Sequence, residues 1–110
     1  MSFTRGRLLD PDASPSAGEE VHRLAEVDHV VVDQILSGRL DGPVDYFPDV
    51  DEWFVVLHGR ATLDVEDERL YLEPGDWVLI PAGTPHRLVE TAMGTNWLTV
   101  TATPPATPSM

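Results

Sequence analysis

The chain has 110 residues and a formal net charge of −12, with 7 Lys and Arg against 19 Asp and Glu. That length fits one domain able to bury most of its apolar surface, and a second is not expected. With 42% hydrophobic and 24% charged residues the composition is globular; no apolar run approaches the ~18–20 residues of a membrane helix, and an acidic chain without clustered Lys or Arg is a poor match for nucleic acid or anionic membranes.

Residues 1–15 mix Arg, Asp, Pro and Ser without periodicity and predict a mobile arm. They hold no apolar stretch of the kind a secretory signal needs. Ser16 and Glu19 have capping-box spacing, and Val21, Leu24 and Ala25 follow at i, i+3, i+4. Residues 16–27 therefore read as a short helix over about 17–26 or, because Gly18 weakens its first turn, as a linker. From His29 the pattern changes to strands. The run 29–36 is β-branched and ends at Ser37-Gly38, and a turn at Gly42-Pro43 leads into a short extended piece over 44–47. Trp53 to Leu57 is apolar on both faces, as in a strand buried in a barrel. Ala61 to Val65 alternates, and Glu66-Asp67-Glu68 makes a polar tip whose acids, with Asp64, are expected to be solvated. Leu70 to Leu72 returns, Pro74-Gly75-Asp76 turns, and the segments 77–80, 87–89 and 97–100 complete about eight short strands. That spacing predicts an all-β fold, an antiparallel barrel or jelly roll over 28–102. The proline-rich tail 103–110 is expected to be disordered. No internal repeat is visible.

Cysteine is absent, which excludes disulfides and thiolate metal sites. It fits a reducing compartment, and the expected location is the cytoplasm.

The most informative stretch runs from Gly75 to Glu90. Gly75 closes the turn after Pro74, Trp77 to Ile80 forms a strand, and Pro81-Ala82-Gly83 breaks that strand where a missing donor is tolerated. His86 then re-enters on the next strand. The spacing Gly75, Pro81-x-Gly83, His86 resembles the second sequence motif of the cupin superfamily, with Glu90 where that motif ends in Asn. Glu52 followed by Gly59 resembles the second half of the first motif. The histidine pair of its first half would fall on Asp45 and Phe47, or on Tyr46 and Pro48, and neither alignment supplies a histidine.

The resemblance covers about residues 28–102 and implies a small single-domain cupin barrel with one site at its mouth. It also implies, in members with full ligand sets, a divalent metal held by three imidazoles and a carboxylate. Here Glu52 and His86 stand at ligand positions, and Asp45 or Tyr46 is the candidate third ligand if a metal is bound. Catalytic candidates are His86 with Glu52 or Tyr46 as an acid–base pair. Phe54 and Val56 share strand parity with Glu52 and, with Tyr46 and Phe47, are expected to wall the pocket. His58 and His22 are expected away from any site, and His29, which opens the first strand, could face either way. Trp77 and Trp97 read mainly as core.

Three functions follow from these readings. The first is a degenerate-site cupin that binds a small organic molecule. The second is an acid–base enzyme of isomerase, epimerase or cyclase type. The third is a metal-dependent oxygenase or isomerase. Trp53, Val55 and Leu57 form an outward apolar row, so a homodimer is expected.

Overall fold

The computed structural model describes residues 3–102. It contains nine strands: β1 (Glu19–Val27), β2 (Val30–Ser37), β3 (Val44–Tyr46), β4 (Glu52–His58), β5 (Ala61–Val65), β6 (Glu68–Leu72), β7 (Trp77–Ile80), β8 (His86–Thr91) and β9 (Thr95–Ala102). They form a five-stranded sheet in the order β1-β2-β9-β4-β7 and a four-stranded sheet in the order β3-β8-β5-β6. Every named strand pair is antiparallel. This is the expected jelly-roll sandwich, and all eight predicted strands are present. The expected disordered tail lies outside the described residues.

The core forms where the inward residues of the two sheets meet. Phe54 and Val56 from β4, Leu63 from β5, Leu72 from β6, Ile80 from β7, Leu88 from β8 and Trp97 from β9 are all buried in one cluster. Alternation along each strand places these residues inside and their neighbours outside. Trp97 meets Phe54 edge-on, with ring centroids 5.5 Å apart. Its indole N–H donates to the Ser37 hydroxyl at 3.0 Å, so this large core residue buries no unpaired donor.

The helix expected over 17–26 is instead β1, and the sandwich starts nine residues before the predicted boundary of 28. The i, i+3, i+4 apolar pattern has a different origin. The pairing of β1 with β2 slips between Arg23 and Ala25, so Leu24 is an extra residue in a β-bulge and breaks the strand alternation. A two-residue turn, Asp28-His29, joins β1 to β2, with Asp28 at φ 53° in the left-handed region that Asp tolerates.

The arm expected over 1–15 is pinned at one point. Leu9 donates its backbone N–H to Gln34 at 2.8 Å, and its carbonyl accepts from Gln34 and Asn96 at 3.0 and 3.3 Å. Gln34 is fully buried, and its amide is satisfied there by Leu9 and by donation to Asn96 Oδ1 at 2.8 Å.

Trp77 departs from the core position expected of it. It is 61% exposed on the outer face of β7 and lies 6.3 Å from Trp53 across the β4–β7 pair. Inward on that strand are Val78, which is half-buried, and Ile80, which is fully buried.

Candidate functional site

A cavity of about 80 Å³ opens between the sheets. Wider surface hollows exist, such as one of about 490 Å³ beside the Glu66-Asp67 turn, but the smaller cavity is where buried polar groups converge. Each strand delivers its residue by parity. Glu52 opens β4 on the same face as Phe54. His86 opens β8 directly opposite Tyr46 of β3. Glu19 opens β1 opposite Ser37 of β2. The polar side chains of Glu19, Tyr46, Glu52, His86 and Thr99 line the cavity, above walls of Ile35, Phe54, Leu63, Leu88 and Trp97.

The imidazole of His86 is held by two contacts. Its Nδ1 lies 3.2 Å from the Thr84 carbonyl, so Nδ1 carries the proton and Nε2 presents its lone pair when the ring is neutral. Tyr46 stacks on the ring at 5.3 Å with only 13° between planes. Nε2 is 3.8 Å from Glu52 Oε1, too long for a hydrogen bond but close enough for proton exchange through a small adjustment. Burial raises the Glu52 carboxyl above its ordinary value; His86 opposes this, and the charge of Glu19 adds to it.

Glu19 carries a second cluster. Its carboxylate accepts from the Ser37 hydroxyl at 2.6 Å and from the Tyr46 hydroxyl at 3.0 Å. Because Trp97 donates to Ser37, the chain Trp97–Ser37–Glu19–Tyr46 is continuous from core to rim. Burial and the neighbouring Glu19 push the Tyr46 phenol far above its ordinary value. It is therefore a donor, not a phenolate.

Of the residues singled out in the sequence, the cavity brings together Glu52, His86, Tyr46 and Phe54. Val56 points inward as its parity requires but lies deeper, only 1% exposed, and does not reach the cavity. Phe47 is 81% exposed and is no wall. Asp45 faces outward, because its neighbour Tyr46 takes the inward position, and Arg87 grips its carboxylate at 2.6 and 3.2 Å. That pairing holds the Asp45 carboxyl below its ordinary value. His58 bonds the Gly94 carbonyl at the far end of β4, His22 lies beside Glu20 on β1, and His29 is in the hairpin turn. Glu19 escaped the sequence reading, since as a helix residue it had no reason to face the barrel. A signal was present: Val27 and Val30 to Val32 flank a two-residue turn, as in a hairpin.

The donor set does not fit a resident metal ion of the type the resemblance implies. Glu52 and His86 are the two open donors, whereas even catalytic sites generally keep three protein ligands. Asp45 is turned away, Tyr46 is protonated, and both oxygens of Glu19 are engaged. Among the described residues, no three His, Cys, Asp or Glu side chains are gathered for a metal.

Fold and site together define a small antiparallel β-sandwich with a polar-rimmed, apolar-floored cavity between its sheets. A family model described as a cupin domain matches residues 34–100, and the chain belongs to that family. It is 41% identical over 61 residues to the uncharacterized protein YdbB of Bacillus subtilis, a match spanning 54% of this chain and 52% of that protein. It is 44% identical over 57 residues to the quercetin 2,3-dioxygenase of the same organism, across 47% of this chain and 16% of the enzyme. The chain thus spans about half, or less, of the curated relatives it matches. Among solved structures, a protein of Ralstonia eutropha JMP134, provisionally named a mannose-6-phosphate isomerase, superposes with a TM-score of 0.73 at 27% identity. That superposition covers 90% of this chain and 100% of the other. Glu19 precedes the matched segment 34–100.

Proposed function

We propose that this cupin domain binds a small organic molecule in the cavity at its mouth, without a resident metal. The observation that carries this reading is the convergence of Glu19, Tyr46, Glu52 and His86 on one apolar-walled cavity with only two open metal donors. Ligand sites have this composition, apolar walls with a few placed polar groups. The cavity is smaller than the ~300–1,000 Å³ of drug-sized sites, so the occupant is small or enters only in part. A thermal-shift screen of small organic fragments tests the reading. A hit should raise the melting temperature of the native protein and lose that effect in Glu52→Ala. A hit indifferent to changes at both Glu52 and His86 would place the site elsewhere. Elemental analysis after dialysis against dilute chelator should find no stoichiometric zinc, iron or manganese; one ion per chain, lost in His86→Ala, would restore the metal reading.

The second reading is acid–base catalysis, favoured by one specific feature. His86 is fixed through Nδ1, and its Nε2 stands 3.8 Å from a carboxyl whose proton is held more tightly than usual. Such a pair can take a proton at Nε2 from one position of a bound molecule while the Glu52 carboxyl returns one at another. Isomerase-type chemistry needs that exchange.

The partner most compatible with the outer surface is a second copy of this chain. Trp77 and Leu79 of β7 adjoin Val55 and Trp53 of β4, which adjoin Leu98 and Val100 of β9. These six positions carry no carboxylate on a chain of net charge −12, so two copies meeting through them would keep most of their charge apart.

A further inference from the structure

Taking the mouth cavity as a ligand site, we infer that its occupant is a small organic cation, an alkylammonium group seated between Glu19, Glu52 and the aromatic rings, and that the cavity rejects anions. Charge is the first ground. Two carboxylates line the cavity and, among the described residues, no arginine does. All seven basic residues of the chain are arginines. Arg69 and Arg87 are committed to outward partners at Asp64 and Asp45, and Arg23 of β1 is held by Asp33 and Glu26. Recognition of phosphate or carboxylate calls for such a cation in the site, and the net charge of −12 repels anions at long range.

The second ground is that Glu19 is held but not neutralised. Its two oxygens accept from neutral hydroxyls, Ser37 and Tyr46, which fix the carboxylate in place and leave its charge uncompensated. Glu19 lines the cavity together with the Glu52 carboxyl, so the two place negative charge where a cation would be attracted. The Glu52 carboxyl is raised first by burial and in smaller part by this Glu19 charge.

Donor and acceptor chemistry supplies the third ground. The His86 side chain is only 4% exposed, and its Nε2 has no hydrogen-bond partner, the nearest charged oxygen being 3.8 Å away. An ammonium group has three N–H donors and no acceptor. It matches a rim of acceptors: the Nε2 lone pair and the oxygens of Glu52. The rings of Phe54, Trp97 and Tyr46 add the aromatic surface on which a cation is favoured. A metal ion would find two open donors and would gain nothing from the apolar walls.

The test uses the whole protein and three probes of matched shape: butylammonium, butan-1-ol and butyrate, compared at constant ionic strength by following the Trp97 indole N–H in nitrogen-15 spectra. Butylammonium should move that resonance to saturation. Butanol should bind roughly tenfold more weakly and butyrate not at all. Glu52→Gln should weaken butylammonium roughly tenfold, and Glu19→Gln, with folding judged from the rest of the spectrum, should weaken it too. Butyrate binding as tightly, or both variants binding butylammonium as the native protein does, would overturn the inference. Stoichiometric capture of zinc at the same resonance would overturn it as well. Butanol binding as tightly as butylammonium would sink the cation and leave the organic-ligand reading standing. If no probe moves Trp97, the inference fails, and the fragment screen alone then decides whether the cavity is a ligand site.

Discussion

At the scale of single residues, Glu52 is where folding and function pull apart. Its carboxyl is pushed above the ordinary 4.5, first by burial and then by Glu19, with His86 acting the other way. The groups facing it are Glu19, His86 and Tyr46, and Tyr46 stays protonated throughout the accessible range. Between 4.5 and its folded value, native Glu52 keeps a proton that the unfolded chain has released. Its contribution to stability is therefore full below that window and is lost as pH rises through the folded value. Glu52→Gln cannot ionise and escapes the loss. The melting temperature of the variant should gain on that of the native protein as pH goes from about 4 to about 7. Melting curves across that range check the sign. A native protein that gains on the variant would mean that the His86 contact outweighs burial.

At the scale of elements, the corner between β4 and β5 is where the chain leaves one sheet for the other. Gly59 makes it with φ +84°, and a Cβ there would lie 2.5 Å from Thr95 Oγ1 and 2.7 Å from Thr95 Cα. The corner can lie so close to the start of β9, the neighbour of β4 in the same sheet, only without a side chain. Gly59→Ala should cost about 3 kcal/mol, from left-handed strain plus overlap. Gly75 has φ +95° with open space around it, so Gly75→Ala should cost about 1 kcal/mol from the strain alone. Equal losses in urea unfolding would mean that Thr95 moves aside freely. The same elements show what was legible in the sequence. Strands β2 to β9 could be read because short β-branched or apolar runs sit between strong turn signals, and Glu52 and His86 could be placed because parity and motif spacing agree. β1 could not, because the bulge at Leu24 gave a strand the apolar spacing of a helix. Glu19 was lost with it. Asp45 and Tyr46 were ambiguous for a related reason: without a histidine to mark the register of β3, nothing in the sequence says which of two neighbours faces inward. Pairing with β8 decides it, by setting Tyr46 opposite His86.

At the scale of the whole molecule, the five-stranded sheet has one face in the core and the other partly bare. β7 is an edge strand, paired with β4 on one side. Its outward Trp77 and Leu79 are 61% and 56% exposed, and the apolar rows they begin run across β4 to β9. Beyond β9 one row continues to Val32, while the other ends at Gln34, where the N-terminal arm covers the sheet through Leu9. The arm thus bounds the patch on one side and the edge of β7 bounds it on the other. An apolar area of this kind on a chain this acidic is a candidate contact surface, and a twofold pairing would let each Trp77 pack on the other copy's sheet. Sedimentation equilibrium at tens of micromolar should give twice the 12.1 kDa chain mass. Leu79→Glu should give a monomer that melts near the native temperature at low concentration, because residue 79 is exposed within each copy and lies outside the core cluster. A native protein that sediments as a monomer would show that the patch is bare in solution. A Leu79→Glu dimer would show that the copies meet through some other face, with the free edge of β1 the next surface to alter.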